Sequence, residues 1–200
     1  GLIEGFKSLV GAYGETLQVS GSFQAEMSQV AATMGTTTGA VSDLSDYAKE
    51  MGATTSFTAQ QSAEGLYILA MAGLNAQEQI SGLPVVLDLA AAGGMDLAQS
   101  AGYITTTVKA FGDSMDNANY YADLMAKGAT MANTNVSQLG EALATAGATA
   151  NGYSQSADSV TLSLLRLAEQ GKTGAEAGTM LNRAMTDLYA PTEEAKAILD

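Results

Sequence analysis

The chain has 200 residues, 21 acidic against 8 basic side chains for a net charge of −13, and neither cysteine nor histidine. These counts exclude disulfides and thiolate metal sites, remove the commonest general base and metal ligand, and leave too few clustered cations for sequence-independent binding to nucleic acid. Hydrophobic residues reach 46% but aromatics only 6% and charged residues 14%, with alanine, glycine and methionine supplying much of the apolar content. That mix predicts closely packed helices with thin side-chain layers.

The first block runs from Leu2 to about Met34. Leu2, Phe6, Leu9, Val10, Tyr13 and Leu17 hold a helical period, and Phe23, Met27 and Val30 continue it past Ser20, Gly21 and Ser22. One long helix with a weak point at Gly21 is favoured over two joined there. The tract GTTTG at 35–39 reads as a loop. Val41, Leu44, Tyr47, Ala48 and Met51 then form an apolar face opposite Asp43, Asp46 and Glu50. Carboxylates at helical spacing on the polar side read as a solvated face rather than a cation site.

Residues 57–94 are the organising stretch of the chain. Thr58 with Gln61 is a capping-box start, Ala59, Ala63, Leu66 and Ala70 make one helical face, and Gly73 supplies a stop. Asn75 with Glu78 repeats the start signal. Pro84 either opens a fresh helix at its first turn or bends the one begun at Ala76. From Leu83 to Ala92 the pattern is apolar nearly all round apart from Asp88, which places this stretch in the middle of a packed structure.

Asp96 caps the next helix, where Leu97, Ala101, Ile104, Val108 and Phe111 keep register until Gly112. Residues 117–132 come after it, with Tyr121, Leu124, Met125, Gly128 and Met131 inward or nearly so. Asn135 with Gln138 is a further capping box, and Val136, Leu139, Leu143 and Ala146 lead to a stop at Asn151 and Gly152. Leu162, Leu164, Leu165 and Leu167 make 154–170 the most leucine-rich segment, ended by Gly171. Ala177, Leu181, Ala184 and Leu188 mark a helix over 174–189, and Pro191 starts a final one.

No stretch alternates with period two, so the fold class is all-α: eight to ten short-to-medium helices joined by short Gly, Asn and Thr loops, with a longer N-terminal helix. Residues 1–34 form that helix and 35–200 the main helical domain. Neither a spanning segment nor a signal peptide is visible. The chain opens without Met and its helical pattern runs up to Asp200, so the expectation is a segment of a longer polypeptide.

Reactive constellations are scarce. Triads that need His or Cys are impossible, and no phosphate-binding glycine loop or dinucleotide fingerprint occurs, so no catalytic, cofactor-binding or metal-ligating residue is assigned. A glycosidase needs only two acids flanking a cleft, and Glu64 and Glu141 are the residues to weigh for that, against capping or solvated roles. Gly174 and Gly178, at GxxxG spacing beside Glu176, read as a close helix crossing rather than a membrane motif. The ten methionines read as core filler.

Four blocks occur in order: TTSFTAQQSAEGLYILAMAG at 54–73, LPVVLDLAAAGG at 83–94, NVSQLGEAL at 135–143 and GAEAGTMLNRAMTDLYAPTEEA at 174–195. Their order and spacing resemble the core region of bacteriophage tail tape measure proteins of the TP901 type, over roughly residues 23–200. The resemblance implies a non-enzymatic structural component of the virion tail, made in the bacterial cytoplasm and placed in the tube lumen and at the tail tip. It implies a part in tail assembly and length determination. The expected partners are copies of the chain, threefold, and the tail-tip and tube proteins, with no direct nucleic-acid binding. Residues 1–34 would then end an upstream helical rod. Leu66, Leu69, Leu87, Leu139, Leu143, Gly174 and Gly178 are the helix-packing and assembly candidates. A secreted helical effector or adhesin is the alternative from another class, and a carboxylate-based cell-wall hydrolase the enzymatic one.

Overall fold

The computed structural model describes residues 21–189. Among them are nine α-helices and no strand, as the fold class requires. Helix α1 covers residues 21–33, followed by α2 (Ser42–Thr54), α3 (Ala59–Met71), α4 (Ala76–Gly93), α5 (Leu97–Ala110), α6 (Ala118–Ala129), α7 (Val136–Gly152), α8 (Ala157–Glu169) and α9 (Gly174–Tyr189). The expected face from Leu2 to Leu17 and the helix from Pro191 lie outside the described residues. The loop expected at 35–39 gives way to a short 3-10 turn, Thr38–Val41, leading into α2.

Most helix starts follow from local chemistry. Thr58 Oγ1 accepts from the Gln61 N–H at 3.2 Å while Gln61 Oε1 accepts from the Thr58 N–H at 2.8 Å. Asn75 and Glu78 make the same reciprocal pair, at 3.1 and 2.8 Å. Each box satisfies two donors that the first turn of a helix would otherwise leave open. Gly73, at φ +81, lets the Leu74 N–H turn back to the Leu69 carbonyl at 3.2 Å and close α3.

Two signals resolve differently. Asn135 caps α7 by accepting from the Gln138 N–H at 2.8 Å, but Gln138 Oε1 accepts from the Thr134 hydroxyl at 3.3 Å, so the box is half formed. The stop expected at Asn151 and Gly152 falls later, because α7 includes both and the left-handed residue is Ser154, at φ 57. The Gln155 N–H then reaches the Ala150 carbonyl at 2.8 Å.

Backbone contacts divide the chain into two compact units at Leu83 and Pro84, inside α4. In the first unit α2 packs on α3, and Val30, Leu44, Ala48, Leu66, Leu69 and Leu83 are buried. The Leu83 side chain lies over Gly65, where an added Cβ would come within 2.7 Å of Leu83 Cδ1. Gln79 is fully buried; its amide donates to the Leu74 carbonyl at 2.8 Å and meets Met34 Sδ at 3.3 Å. Asp43, Asp46 and Glu50 are exposed on the outer face of α2, with Asp46 paired to Lys49 at 2.8 Å.

The second unit is built around α7, which packs on α5, α6, α8 and α9. Leu139, Leu143, Ala146 and Ala150 face its neighbours, and a Cβ at Gly140 would stand 2.9 Å from the Tyr103 ring. Thin side-chain layers are therefore found where alanine and glycine are densest. The second half of α4 buries Val85, Val86, Leu87, Leu89 and Ala90 and exposes Asp88. Pro84 sits inside one continuous helix rather than opening a new one.

Candidate functional site

The packing candidates are interior residues. Leu66 and Leu69 are buried in the first unit, and Leu87, Leu139, Leu143, Gly174 and Gly178 in the second. Gly178 shows why a GxxxG pair stands here. A Cβ on it would lie 2.8 Å from the Ala142 carbonyl oxygen and 2.7 Å from Thr145 Cβ, so α7 and α9 approach backbone to side chain. The Asn182 amide crosses the same contact to the Thr145 carbonyl at 3.0 Å. Gly174, at φ +59, faces the Glu141 carboxylate.

This close crossing sets which face of α9 is inside. Gly174, Ala177, Gly178 and Met185 are buried, whereas Ala184 and Leu188, two of the residues that mark the helix in the sequence, are exposed, and Leu181 is half-buried. The contact centres on the residue with no side chain, and the leucines turn away.

The residues free to meet a partner are different ones. Met131, whose spacing places it inward or nearly so, is 69% exposed, and Leu162, in the most leucine-rich segment, is 53% exposed. Met131 falls after α6 has ended at Ala129, and Leu162 lies off the face formed by Ala157, Val160, Thr161, Leu164, Leu165 and Ala168. With Leu165 they line an open groove of about 600 Å³ rimmed by Arg166 and Glu169. A second hollow of about 360 Å³, lined by Leu124 and Tyr120, shares Met131 and Leu165 with it. An Asp123–Lys127 ion pair of 2.6 Å stands at its edge. The result is an apolar strip across α6 and α8 with charges of both signs along its margin.

Beside the strip two tyrosines are held by carboxylates. Tyr120 donates its hydroxyl to Asp158, and Tyr121 donates to Asp113 at 3.0 Å. Burial, then the Asp158 carboxylate, pushes the Tyr120 phenol up to about 12. Tyr121 is raised further by burial and by Asp113. Asp113 is lowered because it accepts from the Asn117 side chain at 2.7 Å and the Ser114 N–H at 2.8 Å, with Tyr121 adding a third bond. Both phenols keep their protons at neutral pH, and their bonds fix α6 against α8 and against the turn before α6.

Glu64 and Glu141 are both exposed. Glu141 borders a shallow cleft of about 380 Å³ with Gln99, Gly102, Tyr103, Thr106, Ala144 and Thr145, none of them a second acid. Two-carboxylate hydrolysis needs a partner acid roughly 5 to 9.5 Å away. Glu64 lies on α3, in the first unit. No cluster of three or more possible metal ligands occurs among the described residues. No single described helix is long and apolar enough to cross a membrane; α4 and α5 are so only taken together, and they are bent by 119°.

Residues 45–200 match the phage-related minor tail protein family. The chain belongs to that family. It is also 33% identical over 185 residues to a tape measure protein of Pneumococcus phage Dp-1, a match that takes in 92% of this chain and 16% of that protein. The tail-protein segment thus spans about a sixth of the relative's length. All four sequence blocks that carry the resemblance to tape measure proteins fall inside the residues the family matches. No solved structure matches the chain.

Proposed function

We propose that this segment is the core region of a tape measure protein, that it takes part in assembling the phage tail and setting its length, and that it works by helix contacts without catalysing a reaction. The observation that carries this is the 33% identity to a tape measure protein along nearly the whole chain. The physical character supports it. An all-helical chain with 6% aromatic residues suits a narrow protein tube, and a charge of −13 keeps it from adhering to DNA. Its place is the tail-tube lumen and tail tip, its partners are copies of itself in a threefold set and the tube and tip proteins, and residues 1–34 end an upstream helical rod. The α6–α8 strip is a described surface suited to such contacts, since Met131 and Leu162 there stand free of the core.

The test is an in-frame deletion of residues 35–200 from the full-length protein in its phage or prophage, with particles viewed by electron microscopy. Loss of tails, or tails of altered length, is expected. Tails of normal number and length would contradict the assignment.

A further inference from the structure

Two independent features coincide in α4. The backbone contacts divide the chain between Leu83 and Pro84, and Pro84 is the one residue of that helix that cannot donate a backbone hydrogen bond. In an unbroken helix the N–H at position 84 would bond the Ile80 carbonyl, so one rung is missing at the point where the chain passes from one unit to the next.

Either side of this gap α4 is firmly held. Towards its start, Gln79 is fully buried with its amide on the Leu74 carbonyl at 2.8 Å, and Leu83 is fully buried over Gly65. Towards its end, Val85, Val86 and Leu87 are buried, and the Val86 carbonyl accepts the Ser100 hydroxyl at 2.7 Å. Where the partner of an anchor is identified it lies in the same unit: Gln79 on Leu74 and Leu83 over Gly65 in the first, Val86 under Ser100 in the second. The turn between these anchors is the one that lacks a backbone bond.

We propose that the two units are separate cooperative folding units and that α4 is their joint: when one unit opens, the helix parts between Ile80 and Pro84 and the other unit keeps its structure. Local opening follows contiguous cooperative units, and a helical turn that lacks one backbone bond is weaker than its neighbours. The device lets one part of the chain unravel without melting the rest.

Hydrogen exchange of the intact chain, followed by mass spectrometry through a urea series, tests this. Amides of 21–83 and of 84–189 should behave as two sets. Leu66→Ala should lower the urea midpoint of the first set by about 1 M or more and leave the second where it was, and Leu143→Ala should do the reverse. If Leu66→Ala leaves the first unit unfolded altogether, continued protection across 84–189 is the expected result. Pro84→Ala, which restores the missing donor, should slow opening at Val85–Asp88 on the order of tenfold or more. A single midpoint that moves as one block with either leucine substitution would overturn the proposal, as would loss of protection throughout the chain in Leu66→Ala.

Discussion

The two compact units solve the same packing problem with different arrangements. In the first, Leu44, Leu66, Leu69 and Leu83 are fully buried, and α3 and α4 start from reciprocal capping boxes. In the second, α7 brings glycine and alanine to its contacts, and neighbours close in on Gly140 and Gly178 until a single methyl group would collide. Both interiors join large side chains to hemmed-in glycines, with Gly52 against the Ala59 backbone and Gly65 against Leu83 in the first, and Leu87, Ile104 and Leu143 filling the second; what differs is that the second gathers its closest approaches on α7. Vulnerability to added volume in the second unit should therefore centre on α7 and the helices that cross it.

The largest effect lies in the leucine core. Leu66→Ala empties a fully buried site and should cost about 3 kcal/mol, within the 2–5 kcal/mol range for such truncations, read as a lowered urea midpoint. Adding volume separates a close helix crossing from an open turn. Gly178→Ala pushes a methyl against the Ala142 carbonyl, which cannot rotate away, and should cost about 2 kcal/mol by overpacking. Gly73→Ala, where nothing lies within 4 Å, meets only the strain of a left-handed φ and should cost about 1 kcal/mol. Equal losses at the two glycines would show that the approach of α7 to Gly178 adds nothing beyond backbone conformation.

Smaller effects lie at the helix ends. Thr58→Ala removes half of a reciprocal box and should lower stability by about 1 kcal/mol, read by thermal melting. The smallest effect is in acid. Asp113 is held below the ordinary carboxylate range by Asn117, Ser114 and Tyr121. Its contribution is full above the unfolded carboxylate value and is lost as pH falls through the lowered one. Asp113→Asn should flatten the acid side of the second unit's stability profile in urea titrations below about pH 4, and a slope unchanged by the substitution would show that the pair adds nothing.

What the sequence made legible was local chemistry. The pairs Thr58–Gln61 and Asn75–Glu78 lie three residues apart, so each box is encoded within one turn, and Asp96 caps α5 for the same reason. Gln138 has the right spacing and bonds elsewhere because Thr134, in the loop before α7, offers a competing hydroxyl. Leu162 shows the limit of counting hydrophobic residues: the helical period around Val160, Leu164 and Leu165 already turned it outward. Met131 required knowing that α6 ends two residues earlier. The face of α9 was set by the approach of α7 to Gly178, a tertiary event with no trace in α9's own pattern of leucines. The buried packing candidates were readable as core residues, whereas the exposed strip emerged only once the core had been filled.

The claim at the centre is that packing surfaces, and no reactive group, carry the role in the tail. Counting and measuring tails by electron microscopy in two full-length variants tests it most directly. Met131→Glu with Leu162→Glu, both exposed and so expected to leave helix content and melting unchanged, should reduce tailed particles at least about tenfold by placing charge in an apolar contact. Glu64→Gln with Glu141→Gln should leave tail number and length as they were. Normal tails in the first variant and defective ones in the second would contradict the account.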